Sequence, residues 1–285
     1  MVEVATAPSI KDYRSDVKPT WCPGCGDFAI LSAAYKAMVE LRLKIENTVV
    51  VSGIGCSSRI PYFVHTYGIH SLHGRGLPMA TGIKLAHPEL TVLAFGGDGD
   101  LFSIGAGHTP HPARRNIDIT VVCMDNQTYG LTKAQFSPTS KVGHISKSSP
   151  FGSVERPMNP VLLALAAGAT FVARGYSGKP KLLQDLIVQG IKHKGFSFIH
   201  VQSPCTEFHN TYSYYDAMVQ ELPSNHDTTD IEVAFHTVLN EEKVNLGVFF
   251  KAERPTYDEA LHNLDKDIKP FNLDELLARI RALVR

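Results

Sequence analysis

LTVLAFGGDGD, residues 90–100, reads as a short apolar strand running into a glycine-rich turn that carries two carboxylates. The strand covers Leu90–Phe95 and the turn is Gly96-Gly97-Asp98-Gly99-Asp100. Bare glycines let a phosphate approach the backbone, and a helix opening at such a turn offers free N–H groups and the positive end of its dipole. The stretch Ile117–Met124 is a second strand, apolar at its centre, and it ends at Asp125-Asn126, with Asn126 28 positions after Asp98. Both turns then lie at the carboxyl ends of strands, the edge where open α/β sheets bind ligands. Magnesium takes hard oxygen ligands in an octahedron and shares them with phosphate oxygens. Asp98 and Asn126 each offer a side-chain oxygen, and the carbonyl of Thr128 offers a third. A lone Gly-Asp-Gly is most often a tight turn; its pairing with an asparagine at the next strand end points to a magnesium–diphosphate site.

Outward from this stretch, the pattern alternates. Phe28, Leu31, Ala34, Tyr35, Met38 and Leu41 recur at helical spacing and predict a helix from Phe28 to about Lys44. Thr48–Val51 reads as a buried strand and Pro78–His87 as a helix stopped near Pro88. One helix is expected from the Gly-Asp-Gly-Asp turn to near Arg114. From Thr132 to Pro160 periodicity is lost among Ser, Thr, Lys, Gly and Pro, and so long a loop in a compact domain is usually functional. A helix at about Asn159–Ala167, a strand at Thr170–Ala173, a helix at Lys181–Lys194 and a strand at Phe196–Val201 follow. This alternation predicts an α/β fold with a mostly parallel sheet covered by helices on both faces. The expected organisation is an extended N-terminal arm (1–20), a main domain (21–205) and a C-terminal extension (206–285) packing on that domain or on a partner. The extension should hold a helix at Ile231–Asn240, a strand at Gly247–Lys251 and a helix at Leu273–Val284. The last has an apolar stripe of Leu273, Leu276, Leu277, Ile280 and Leu283.

Lysine plus arginine and aspartate plus glutamate both number 28, so the formal net charge is zero and nothing suggests a nucleic-acid partner. No apolar run is long enough to span a bilayer, and the N-terminus lacks a basic-then-apolar secretory pattern. The expected setting is the cytoplasm, with no membrane partner. There, five cysteines are cluster or metal ligands, catalytic thiols or core residues rather than a disulfide framework.

Cys22-Pro23-Gly24-Cys25 precedes a helix and follows an extended, proline-containing arm. A redox dithiol normally follows a strand, so half of a zinc or iron–sulfur site fits better. Cys56 follows the first strand and Cys205 a late one, so both can share the sheet edge with Cys22 and Cys25. Four thiolates would hold a [4Fe–4S] cluster or a zinc ion, and spacing alone does not choose between them. Cys123, inside Val121-Val122-Cys123-Met124, reads as a small buried apolar side chain.

Taken together, Trp21-Cys22-Pro23-Gly24-Cys25-Gly26, Gly53-Ile54-Gly55-Cys56-Ser57-Ser58, Leu72-His73-Gly74-Arg75-Gly76, Gly97-Asp98-Gly99-Asp100, Met124 to Lys133 and the late Cys205 resemble the β subunit of 2-oxoacid:ferredoxin oxidoreductases. The resemblance covers most of the chain and is strongest from Trp21 to about Ser140. It implies a thiamine-diphosphate-binding fold. Asp98, Asn126 and the Thr128 carbonyl would bind Mg2+. Gly99, Asp100, Gly130 and Leu131 would line the diphosphate. Ile54, Gly55, Cys56, Ser57 and His73 would contact thiamine diphosphate, and Cys22, Cys25, Cys56 and Cys205 would ligate one [4Fe–4S] cluster. Arg59 stands where some members of that family carry lysine, at the expected substrate-carboxylate contact.

The implied reaction is coenzyme A-dependent oxidative decarboxylation of a 2-oxo acid to acyl-CoA and CO2. Electrons pass through the cluster to ferredoxin, and the reverse direction fixes CO2. An obligate α subunit, in a heterodimer or a dimer of heterodimers, would supply the glutamate that activates the cofactor. The pattern, including His226-Asp227-Thr228-Thr229-Asp230, looks more like 2-oxoglutarate than pyruvate enzymes. Two rival functions are a non-oxidative thiamine-dependent decarboxylase or carboligase, which predicts no cluster, and a non-catalytic metal or Fe–S electron-carrier module, which predicts no thiamine site.

Other residues carry weaker signals. Lys133 is a candidate for substrate or coenzyme A contact, against a solvated loop lysine, whereas Lys141 and Lys147 read as surface charges. His65 and His70 read as ordinary packing rather than zinc ligands, and Arg75 as a structural or phosphate contact. Tyr212, Tyr214 and Tyr215 suit an interface or a tail packed on its own domain.

Overall fold

Strand formation follows apolar runs such as Val49-Val50-Val51 and Val121-Val122-Cys123-Met124. The computed structural model describes residues 8–240, 242–265 and 273–283. In chain order the elements are α1 (Ile10–Tyr13), α2 (Asp27–Glu40), β1 (Thr48–Ser52), α3 (Ile60–Phe63), β2 (Tyr67–His70), α4 (Gly76–Ala86), β3 (Thr91–Gly97), α5 (Pro110–Arg114), β4 (Thr120–Asp125), β5 (Thr128–Tyr129), β6 (Gln135–Phe136), α6 (Pro160–Ala166), β7 (Phe171–Tyr176), α7 (Pro180–Lys192), β8 (Ser197–Gln202), α8 (Tyr212–Met218), β9 (Val219–Glu221), α9 (Ile231–Leu239), β10 (Val244–Lys251), α10 (Tyr257–Asp265) and α11 (Leu273–Leu283).

Eight strands form one sheet in the order β2-β1-β3-β4-β8-β7-β10-β9. The pairs from β2 to β7 are parallel, and β10 joins β7 antiparallel. Side chains alternate between the two faces of a strand. Val50, Leu93, Phe95, Val122 and Met124 pack with Ile30 and Leu31 of α2 and Leu183 and Leu186 of α7. Val49, Val51, Val92, Val121 and Cys123 pack with Leu77 of α4, Val161 of α6 and Ala234 of α9 on the other face. The sheet is therefore mostly parallel and covered on both sides, as the alternation of elements predicts. Cys123 is fully buried. No helix among the described residues is long and apolar enough to cross a membrane.

Several expectations need correction. The single helix expected after Gly-Asp-Gly-Asp is broken into one wide π-type turn, Asp100–Ile104, and the short α5. Gly105 lies between them: a side chain there would overlap the Asp100 carbonyl and meet the Gly74 Cα at 3.0 Å. Pro110 and Pro112 then withhold the N–H groups that a continuous helix needs. The N-terminal arm is not extended throughout, because Ser9 and Asp12 cap the one-turn α1 and fully buried Tyr13 anchors it; residues 1–7 lie outside the described residues. The C-terminal extension does more than pack on the sheet, since β9 and β10 are part of it. In α11, Leu273, Leu277, Ile280 and Leu283 are exposed in this chain, while the Leu276 side chain and Val284 lie outside the described residues.

Candidate functional site

Loops leaving the C-terminal ends of β1, β2, β3 and β4 enclose one cavity of about 220 Å³. After β1 its wall is Ile54, Gly55, Cys56 and Ser57, and after β2 it is His73. After β3 it is Asp98, Gly99 and Asp100, and after β4 it is Asn126, Thr128, Tyr129, Gly130 and Leu131. Every residue that the sequence assigns to magnesium or to thiamine diphosphate thus lies on one wall system.

Asp98 is 2% exposed. Thr139 Oγ1 lies 2.6 Å from its Oδ2 and 2.8 Å from Asp125 Oδ1. One hydroxyl proton serves only one of these carboxylates at a time. Burial, and then the charge of Asp125, push the Asp98 carboxyl up to about 8. Two buried carboxylates sharing one donor are stabilised by a cation. Asn126 Oδ1 accepts from Thr128 N at 3.0 Å and keeps a second lone pair. The Thr128 carbonyl accepts from Gly130 N at 3.0 Å. The residues that carry these hard oxygens line one cavity, and such a donor set fits magnesium, whose remaining positions suit phosphate and water. Among the described residues no three His, Cys, Asp or Glu side chains gather around one point as a ready ion site.

Asp125 is buried and also binds His200 Nε2 at 2.8 Å through Oδ2. Tyr129 donates its hydroxyl to the Gly99 carbonyl at 3.3 Å, closing the cavity between the two strand-end turns. Asp100 Oδ1 accepts from Ile54 N, His73 Nδ1 and Gly74 N.

The four expected cluster cysteines lie on adjoining loops. Cys25 N donates to Cys22 O at 3.1 Å, closing the turn between them. Gly26 N donates to Pro204 O at 3.1 Å and Thr206 Oγ1 to Pro23 O at 2.9 Å, which ties that turn to the Cys205 loop. A side-chain carbon on Gly130 would lie 3.6 Å from Cys205 Sγ and 3.8 Å from Cys56 Sγ. Trp21 Nε1 donates to Cys56 O at 2.7 Å. Burial pushes the Cys56 thiol up to about 11 and the Cys25 thiol higher, with neighbouring thiols and Asp27 adding to both. Metal coordination would hold them as thiolates. Four thiolates on adjoining loops fit a four-iron cluster or a zinc ion alike.

Of the remaining candidates, Lys133 is exposed beside the cavity in left-handed backbone, with φ 74°. Lys141 places Nζ 3.6 Å from the Tyr214 ring centre, and Lys147 is exposed. His65 Nδ1 meets Asp12 O at 3.1 Å, and His70 packs on Tyr62. Arg75 donates to the carbonyls of Gly74 and Ile104, a structural role. Arg59 donates to Thr20 Oγ1 at 3.0 Å. Tyr212 donates to Gly24 O at 3.0 Å and Tyr215 is buried, so both pack the tail on its own domain.

Sequence reasoning missed Thr139, Asp125, His200, Tyr129 and Asp27. Asp27 is buried beside the cysteines and accepts from Ser203 Oγ at 2.7 Å, and burial raises its carboxyl to about 6. Asp125 and Tyr129 sit inside the quoted motifs, but nothing in their spacing announced a role.

Residues 53–201 match the family model for the thiamine pyrophosphate enzyme C-terminal TPP binding domain, and residues 207–266 match that for the C terminal part of the pyruvate ferredoxin oxidoreductase beta subunit. A 2-oxoacid:ferredoxin oxidoreductase subunit beta from Sulfolobus sp is 44% identical over 259 residues, 85% of each chain. A 2-oxoglutarate synthase subunit KorB from Methanocaldococcus jannaschii is 40% identical over 270 residues, 92% of this chain and 98% of the relative. The solved structure of 2-oxoglutarate:ferredoxin oxidoreductase from Magnetococcus marinus, with 2-oxoglutarate, coenzyme A and succinyl-CoA bound, superposes with a TM-score of 0.93 at 42% identity and 97% coverage of both chains.

Proposed function

The chain belongs to the β-subunit family of 2-oxoacid:ferredoxin oxidoreductases, and from that premise we propose that, with an α subunit, it oxidatively decarboxylates 2-oxoglutarate in preference to pyruvate, in the cytoplasm. The acyl group goes to coenzyme A and the electrons go through a [4Fe–4S] cluster to ferredoxin. The observation that carries this reading is the cavity that gathers Asp98, Asn126, Thr128, Gly99, Gly130 and His73, with Cys56 on its wall and Cys205 beside it.

In this reading Asp98, Asn126 and the Thr128 carbonyl hold Mg2+, and backbone at Gly99, Gly130 and Leu131 receives the diphosphate. Bound thiamine diphosphate supplies a carbon nucleophile and an electron sink for cleaving the bond between the carboxylate and the 2-carbonyl carbon. The chain's own work is orientation and exclusion of water. Ile54 to Ser57 and His73 line the cavity, and Thr139 holds Asp98 from behind. Cys22, Cys25, Cys56 and Cys205 hold the cluster, and Cys56 belongs to both sites, which keeps the electron path short. The partner contributes the activating glutamate and part of the substrate pocket. Support for 2-oxoglutarate comes from the names and bound ligands of the relatives.

The test is anaerobic purification with the co-expressed α subunit, followed by iron, sulfide, magnesium and thiamine diphosphate analysis. Viologen reduction is then assayed with pyruvate and 2-oxoglutarate in parallel. A brown complex holding all four and preferring 2-oxoglutarate is expected. A colourless zinc protein would remove the electron-transfer half, and a preference for pyruvate would reject the substrate.

A further inference from the structure

Asp100 follows the Gly-Asp-Gly turn directly, at a place where a carboxylate beside a diphosphate would repel it. Its Oδ1 is committed to the protein instead. Oδ1 lies 2.9 Å from Ile54 N, 2.7 Å from Gly74 N and 2.8 Å from His73 Nδ1. Oδ2 is buried without a hydrogen-bond partner among the described residues. A side chain on Gly53 would overlap Oδ2, and one on Gly96 would meet it at 3.1 Å, so Oδ2 lies against the ends of β1 and β3. Glycine at 53 is the condition for this carboxylate to fit.

Two of the three groups facing Oδ1 are backbone N–H groups, which can only donate, and an ionised carboxylate has no hydrogen to give, so the hydrogen between Asp100 and His73 sits on Nδ1. The His73 side chain is 35% exposed and lines the cavity, and Asp100 is 1% exposed. In the neutral ring Nε2 then keeps its lone pair for a donor in the cavity. A carboxylate that fixes the tautomer and direction of an imidazole is a recurring device where a histidine must present one defined nitrogen.

We propose that Asp100 is a positioning residue. It clamps the loop after β1 to the loop after β2, and it holds His73 in the Nδ1–H tautomer with Nε2 offered to a hydroxyl or thiol donor of a reacting partner. The proposal rests on the reading of this cavity as the thiamine diphosphate site.

Two measurements on the co-purified complex test it: the tautomer of His73 from histidine-selective 15N spectra, assigned with His73→Gln, and the thiamine diphosphate Kd at saturating Mg2+. Wild type is expected to show Nδ1–H. Asp100→Leu, which has no acceptor, is expected to release the ring toward Nε2–H and raise the Kd roughly tenfold or more. Asp100→Asn, which keeps a neutral acceptor, is expected to retain the tautomer and bind between the two. An Nε2–H ring in wild type would overturn the proposal, and it decides the matter even if Asp100→Leu fails to assemble. Asp100→Leu with an unchanged ring and a Kd within twofold of wild type would overturn it as well. A wild-type complex that binds no thiamine diphosphate would defeat the functional reading, while the tautomer still reports on Asp100.

Discussion

Thr139 Oγ1 lies 2.6 Å from Asp98 Oδ2, so a hydroxyl from the long loop after β6 holds a buried carboxylate at the end of β3. The same hydroxyl is 2.8 Å from Asp125 at the end of β4. One side chain therefore joins the two strand ends that form the candidate magnesium site.

Thr139→Val keeps the shape and removes the hydroxyl. Losing a hydrogen bond to a charged group costs about 1.5–3 kcal/mol. The Mg2+ concentration for half-maximal thiamine diphosphate binding should rise by roughly tenfold or more, with Thr139→Ser close to wild type. A magnesium titration of the three proteins checks this, and equal midpoints would show that Thr139 has no part in orienting Asp98.

Cys56→Ser should lose both the visible absorbance and the stoichiometric iron and sulfide, and it should weaken thiamine diphosphate binding, because Cys56 lines the cavity and its sulfur, like that of Cys205, lies against Gly130. Cys123→Ala should keep its iron, since that sulfur is fully buried in the apolar core. Iron and sulfide assays on anaerobic material distinguish the two; full iron in Cys56→Ser would strike it from the ligand set.

His193 packs against Phe171, with Nε2 2.7 Å from Thr170 Oγ1. Burial, and then the charge of Lys251, hold its protonation below the usual histidine range of about 6.5. The unfolded chain therefore takes up this proton first as pH falls. The stability that neutral His193 contributes is present above about pH 6.5 and is lost on descent through its lower folded value. Thermal unfolding of wild type and His193→Gln between pH 8 and pH 5 should show wild type losing more of its Tm on acidification. Parallel curves would contradict the assignment.

The sheet was legible because its central strands, β1, β3, β4 and β8, carry apolar stretches such as Val49-Val50-Val51 and Val121-Val122-Cys123-Met124 that satisfy both faces at once. The grouping of the residues proposed for magnesium and diphosphate around one cavity was legible because they sit at strand ends, where position follows from chain order. Edge strands β2 and β9 were not, being three or four residues long with polar exposed positions. Thr139 was hidden for a different reason. Its role depends on an aperiodic loop folding back over two strand ends, and no spacing encodes that contact. The break after Asp100 likewise depends on Gly74 packing against Gly105, a contact between loops far apart in sequence. The cysteines were readable as a set from their places before α2 and after β1 and β8, but spacing did not choose between zinc and a cluster.

Magnesium-dependent binding of thiamine diphosphate to the co-purified complex tests the central claim most directly. Titration calorimetry on wild type, Asp98→Asn and Asn126→Ala, with and without EDTA, should show stoichiometric binding in wild type only, abolished by the chelator. Wild-type affinity in Asp98→Asn, or binding indifferent to EDTA, would contradict the account.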